Sequence, residues 1–495
     1  MKGKLKLLMV FPEVAPFAKT GSVGDIGGAL PKVLKDFGHD VRIISPQYRI
    51  INERKYVLRD VIRLQNIPVS LGKKNINVHV KSAFLPNSKV QVYFIDYKPF
   101  FFKDGLYSDP KSGEDYSDND RRFILFSKAV LGTLTKLQWQ PDIIHCYGWQ
   151  SALVPFFLRV VHKDDPFFSK ICSVLTVDNF AAQGDFDSSC VSCMGVNEDF
   201  IFEGSPTASR ERFNFLREGI RFADILTTVS ASYGEEVRSY SEFGCGMEDL
   251  LKSYKDRFSG IASGIDESVW NPESDDLIPK KYSILDPSGK DENKRALLVR
   301  FGLPVSDHKP VLAMVSRLTE QKGIDLVKEG FDEIMRMDFI FILLGQGDKA
   351  YQKYFENLRK KYPDRVGVNF TYNDALAHLI VAGADMILSP SKIEPCGLTH
   401  LYGLKYGTVP IVRNTGGLAD TVQPYDPKTG KGTGFVFNDA KVSHMLKAIK
   451  QAVRTYGDRN TWLQIMNAGM QTDLSWQNSA KKYVQLYGKC ISKKR

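Results

Sequence analysis

Val311-Leu312-Ala313-Met314-Val315-Ser316-Arg317-Leu318-Thr319-Glu320-Gln321-Lys322-Gly323 opens as an unbroken apolar run and then turns into cations and a glycine. A run with no polar alternation is the pattern of a strand covered on both faces, as in parallel sheets. The stretch therefore predicts a buried strand followed by a loop carrying Arg317, Lys322 and Gly323. Similar runs lie downstream at 339–344, 366–370, 386–388, 409–412 and 434–437, and upstream at 5–11, 41–45, 90–95, 142–146, 173–177 and 225–229. Helix-like stretches separate them, and that alternation predicts parallel βαβ units. The expected class is α/β, with two doubly wound domains that face each other across a cleft.

The series pauses between about 258 and 306, where Gly260, Gly264, Pro272, Pro279, Pro287 and Gly289 mix with many charges. Such a stretch reads as a hinge and an irregular excursion. The expected organisation is a first domain over 1–258, a linker over 259–308, a second domain over 309–470 and a terminal helix within 471–495. The 495 residues, 43% apolar and 25% charged, suit more than one globular core. The net charge of +10 is spread along the chain, which fits a solvated surface and gives no pattern for nucleic acid. Seven scattered cysteines, with Cys190 and Cys193 as a lone C-x-x-C, predict reduced thiols rather than a metal site. No apolar run is long enough to span a bilayer. The basic, then apolar start reads as a first strand, so a cytoplasmic protein is expected; nothing in the sequence sets an oligomeric state.

In open α/β sheets ligands bind beyond the carboxyl ends of strands. The first strand runs into Phe11-Pro12-Glu13 and then Lys19-Thr20-Gly21-Ser22-Val23-Gly24-Asp25, a glycine loop opening a helix. Such a loop either lets an anion approach or is simply a turn. Arg317 and Lys322 at a strand end would neutralise a departing diphosphate; the plain alternative is a solvated loop. Glu394-Pro395-Cys396-Gly397-Leu398-Thr399 leads into another helix, whose first amides would seat a phosphate. Glu394 would grip sugar or ribose hydroxyls, or else cap the helix. Gly345-Gln346-Gly347 and Arg413-Asn414-Thr415-Gly416-Gly417 are further glycine turns at strand ends.

Taken in order, K-T-G-x-x-G-D from Lys19, S-R-L-x-x-Q-K-G from Ser316, E-P-C-G-L-T from Glu394 and R-x-T-G-G-L-A-D-T-V from Arg413 resemble the bacterial glycogen synthase and plant starch synthase family. Gly264-Ile265-Asp266, Trp270-Asn271-Pro272, Ala375-Leu376-Ala377-His378 and Ser475-Trp476 extend the resemblance over nearly the whole chain. It implies two Rossmann-like domains of the GT-B type, with a last helix that crosses back to the first domain. It also implies transfer of glucose from ADP-glucose to the nonreducing end of an α-1,4-glucan with retention, without metal or other cofactor. By the same resemblance Arg317 and Lys322 hold the diphosphate, the Leu398 and Thr399 amides its distal phosphate, Glu394 the donor glucose and Tyr372 the adenine. Gly416 and Gly417 belong to the substrate-binding set, Lys19 and Gly21 close the site from the first domain, and Glu13 stands on the acceptor side.

The chain departs from the family pattern at four places: the Gly-Gly of the first loop reads Gly21-Ser22, the usual Asn before Gly264 is Ser263, and two further motifs of the first domain are altered. The family's His-Asp-Trp-His reads Tyr147-Gly148-Trp149-Gln150, and its His-Asn reads Asp178-Asn179. An imidazole replaced by a carboxylate exchanges a donor for an anion. Asp178 would either stabilise positive charge at the anomeric carbon or leave the site impaired. Three readings stay open: a working glucan synthase with an altered site, a paralogue that binds nucleotide or glucan as a regulator or scaffold, and a transferase with a shifted donor or acceptor.

Overall fold

The structure is a computed structural model that describes residues 3–196, 211–371 and 373–494. The chain divides into two compact units, one formed by Met1–Val229, Gly234–Ile261 and Trp476–Arg495, the other by Ser230–Tyr233 and Ala262–Ser475.

The first unit is built on a sheet whose parallel part runs, edge inward, through Phe258–Gly260, Ile225–Thr228, Cys172–Val177, Ile143–Tyr147, Lys6–Val10, Asp40–Pro46 and Gln91–Asp96. Leu7 through Val10 are all buried, as the unbroken apolar run requires. Lys74–Phe84 then pairs antiparallel with Gln91–Asp96, and Ile67–Leu71 pairs antiparallel with Lys74–Phe84. Strand order reverses at Lys6–Val10, which has Asp40–Pro46 on one side and Ile143–Tyr147 on the other. That reversal is where open sheets open a crevice for ligands. The terminal helix, Trp476–Lys494, packs on this unit beside the helix Ser22–Asp36. Its Tyr487 hydroxyl meets His145 Nδ1 at 2.7 Å, and His145 Nε2 meets Thr176 Oγ1 at 2.7 Å. Burial pushes the His145 imidazole down to about 3, so this histidine is a neutral, satisfied core group.

The second unit holds a parallel sheet in the order Val366–Asn369, Ile340–Leu344, Val311–Val315, Met386–Ser389, Val409–Arg413 and Phe435–Phe437. Each of these strands overlaps an apolar run read from the sequence. Phe331, Phe341, Phe355 and Trp462 anchor its core. The order reverses between Val311–Val315 and Met386–Ser389.

The stretch 259–308 differs from the expected irregular linker. From Ala262 onward it belongs to the second unit, and it contains a helix at Gly289–Arg300 that packs on Asp374–Gly383. The helix escaped notice because lysines hold two of its buried positions. Lys290 Nζ donates to Ala382 O, Tyr406 O and Thr408 Oγ1, while Lys294 Nζ pairs with Asp385 at 2.8 Å. Buried ammonium heads with partners leave no apolar periodicity to read.

Candidate active site

In the first unit three strand ends meet at the reversal. The loop after Lys6–Val10 carries Glu13, whose Oε2 accepts hydrogen bonds from Thr20 N at 2.5 Å and Thr20 Oγ1 at 2.9 Å. Glu13 is buried, and burial pushes its carboxyl up to about 8; Asp178 and Asp25 add to the rise, and Thr20 opposes it. Lys19 Nζ pairs with Asp25 Oδ1 at 2.8 Å, so this cation is tied to the first turn of the following helix. The glycines of that helix serve the loop's close packing. A Cβ at Gly28 would lie 2.7 Å from Ala15 O, and one at Gly27 would lie 3.0 Å from Glu13 O. Gly21 itself is extended at the start of the helix, and a Cβ there would lie 3.9 Å from Glu13 Oε1.

The second and third strand ends carry the altered motif. Tyr147 is fully buried and stacks on Phe11 with centroids 4.2 Å apart. It fills the core rather than facing solvent, so the position carries no exposed proton donor. Asp178 and Asn179 follow the Cys172–Val177 strand, half-buried, and Asn179 Oδ1 accepts from Ala181 N at 3.0 Å. Tyr48 and Tyr107 also gather here. Their rings meet edge-on at 6.3 Å, and burial together with the Glu13 charge raises both phenols. Sequence reasoning missed these two, because lone tyrosines far apart in the chain form no motif.

In the second unit the order reversal is flanked by the loops after Val311–Val315 and Met386–Ser389. Arg317 is exposed, and among the described residues it makes no ion pair. Lys322 Nζ pairs with Glu394 Oε2 at 2.6 Å, and Ser391 Oγ donates to the same oxygen at 2.8 Å. Burial works against the Glu394 carboxylate, but Lys322 and Ser391 outweigh it and hold the carboxyl below its usual range. Glu394 is thus an ion-paired anion, not a helix cap. Behind it, burial lowers the His400 imidazole to about 4, and His400 Nε2 meets Thr421 Oγ1 at 2.5 Å.

Gly397 begins the helix Leu398–Lys405 at φ +74°, and a Cβ there would lie 2.6 Å from His400 Nδ1. The amides of Leu398 and Thr399 open that helix and supply the positive end of its dipole. Gly416 and Gly417 have a packing role: Gly417 N donates to Glu394 O at 2.9 Å, and Cβ atoms at the two positions would run into the Glu394 and Cys396 carbonyls. They press the Arg413–Gly417 turn onto the loop that carries Glu394. Tyr372, expected near adenine, lies outside the described residues.

Among the described residues, one group of three potential metal ligands occurs, Cys172, Asp224 and Cys490. It sits at the amino end of the Cys172–Val177 strand, away from these loops, and Asp224 Oδ2 is already held by Arg159 at 2.6 Å and Lys494 at 3.0 Å.

Each unit carries a run of parallel strands that reverses order beside charged strand-end loops, as in a glycosyltransferase of the GT-B type, the class that the comparisons give. Residues 6–253 match the family model of the starch synthase catalytic domain, and residues 298–465 match that of the group 1 glycosyl transferases. A glycogen synthase of Bacillus cereus is 41% identical over 484 residues, covering 98% of this chain and 99% of the relative. One of Chlorobaculum parvum is 38% identical over 482 residues, covering 97% and 98%. The catalytic domain of starch synthase IV from Arabidopsis thaliana, solved bound to ADP and acarbose, superposes with a TM-score of 0.92 at 31% identity, covering 99% of this chain and 100% of that one. The chain belongs to the glycogen synthase and starch synthase family. No helix among the described residues is long and apolar enough to cross a membrane.

Proposed function

We propose that this chain is a retaining glucosyltransferase that moves glucose from ADP-glucose to the nonreducing end of an α-1,4-glucan. One observation carries the reading: exposed Arg317, the Lys322–Glu394 pair and the open start of the Leu398–Lys405 helix all stand beside the reversal of the second sheet. Arg317 neutralises the diphosphate as the bond to the sugar breaks, and the Leu398 and Thr399 amides take the distal phosphate. Lys322 shares its charge between the diphosphate and Glu394, and Glu394 in turn accepts hydrogen bonds from donor glucose hydroxyls. Tyr372 serves the adenine. Gly416 and Gly417 keep the Glu394 loop in register. In the first unit Lys19, Gly21 and Asn179 are substrate-binding residues, Glu13 serves the acceptor, and Asp178 is the carboxylate that answers positive charge developing at an anomeric carbon. The relatives named glycogen synthase and the ADP bound in starch synthase IV support the assignment.

Gly148 and Asp178 favour a second reading, a paralogue that binds nucleotide or glucan and transfers poorly. The test is incorporation of labelled glucose into glycogen from ADP-glucose, with UDP-glucose in parallel, followed by β-amylase digestion of the product. Label that β-amylase releases, with ADP-glucose the better donor, is the expected result. ADP binding without incorporation from either donor would turn the assignment to the second reading, and UDP-glucose as the better donor would overturn the choice of nucleotide.

A further inference from the structure

Downstream of Glu394, His400 is fully buried in the helix Leu398–Lys405. Its Nε2 meets the hydroxyl of Thr421, the last residue of the helix Gly416–Thr421. That hydroxyl donates to Gly417 O at 2.6 Å, so its one hydrogen is committed. Its oxygen must then accept, and His400 Nε2, 2.5 Å away, carries the hydrogen. Burial lowers the imidazole to about 4, so near neutrality His400 acts as a hydrogen-bond donor and not as a charge. The bonds form a circuit: His400 to Thr421, Thr421 to Gly417 O, and Gly417 N to Glu394 O at 2.9 Å. The segment 394–400 is therefore fastened to the Gly416–Thr421 helix at both of its ends. Between the fastenings the fit is close. A Cβ at Gly397 would come 2.6 Å from His400 Nδ1 and 3.1 Å from Glu394 Cγ. The imidazole and the Glu394 stem thus both rest on Gly397, and a shift of the imidazole is passed on to the carboxylate that Lys322 meets at 2.6 Å.

We propose that His400 is a positioning residue: through Thr421 it sets the place of the Glu394 carboxylate, and with it the grip on the transferred sugar. The inference rests on the glucosyltransferase reading, in which Glu394 meets the donor glucose. It deepens that reading by making the grip depend on a buried bond between an imidazole and a hydroxyl. A misplacement of about 1 Å in such a group can cost on the order of 10²-fold in rate.

The test is kcat/KM for glucose transfer from ADP-glucose by variants of the full chain. Thr421→Val keeps the shape and removes the hydroxyl, and His400→Leu removes the N–H; each is expected to lower kcat/KM at least about tenfold. Thr421→Ser and His400→Gln, which keep a hydroxyl and an N–H donor, are expected to stay within about threefold of native. In a Glu394→Gln background there is no carboxylate left to position, so Thr421→Val should cost less than about threefold there. The same fold-loss from Thr421→Val in both backgrounds, or a loss in Thr421→Ser equal to that in Thr421→Val, marks a packing role and overturns the proposal. If the native chain transfers no glucose from either donor, the functional reading fails by itself. The thermal midpoint then decides the positioning: Lys322→Met must lower it less in the Thr421→Val chain than in the native one, because the ion pair is already loosened, and an equal lowering overturns the proposal. Should His400→Leu not fold, the two Thr421 variants carry the test.

Discussion

At Glu13, burial and hydrogen bonding pull in opposite directions and burial prevails. A carboxyl at about 8 holds its proton near neutrality, whereas the same group in the unfolded chain ionises near 4.5. The folded form therefore binds the proton more tightly, so the stabilisation is present below about 4.5 and is lost as pH rises through about 8. Glu13→Gln should flatten the fall in thermal midpoint between pH 5 and pH 9, a gain on the order of a few kcal/mol at the alkaline end. An unchanged pH profile in the variant would show that Glu13 ionises normally. Glu394 has the opposite sign. Its carboxyl is held low, chiefly by Lys322 acting against burial, so the pair stabilises above the unfolded value and weakens as pH falls through the folded one. Lys322→Met leaves a buried carboxylate without its cation, at a cost of about 3–5 kcal/mol. The deficit should shrink in acid, where Glu394 takes up a proton; thermal unfolding of both chains across pH measures this.

The elements were legible where the physics is local. Apolar runs marked every strand of the second sheet and the parallel strands of the first except its edge strand Phe258–Gly260, since a strand covered on both faces has few other ways to be written. The antiparallel strands Ile67–Leu71 and Lys74–Phe84 were not read, because one face of each is exposed and polar. The helix Gly289–Arg300 was hidden by its buried lysines. The glycine turns were located correctly, but the spacing left open whether each serves a ligand or the chain. At Gly417 the chain has an evident claim, for a Cβ would strike the Cys396 carbonyl. Gly417→Ala should lower the thermal midpoint by roughly 5 °C or more, through strain between the two loops. A midpoint within a degree of native would show that the turn has slack, and would return Gly417 to the group whose role is purely ligand contact.

At the scale of the whole molecule, ordered motifs reached further than any single one. Lys322 and Glu394 are 72 residues apart and no pattern within one loop links them, yet the reversal of the second sheet brings their side chains to 2.6 Å. Local sequence cannot specify such distances, which is why residue types were legible and their pairings were not. The most direct test is transfer of labelled glucose from ADP-glucose to glycogen by the native chain and by Arg317→Ala. The native chain should incorporate label steadily, and the variant should lose about 10²–10³ in turnover, the loss expected when one charge-stabilising donor is removed. Equal incorporation by both chains, or none by the native one, would contradict a glucan synthase that relies on Arg317 at the diphosphate.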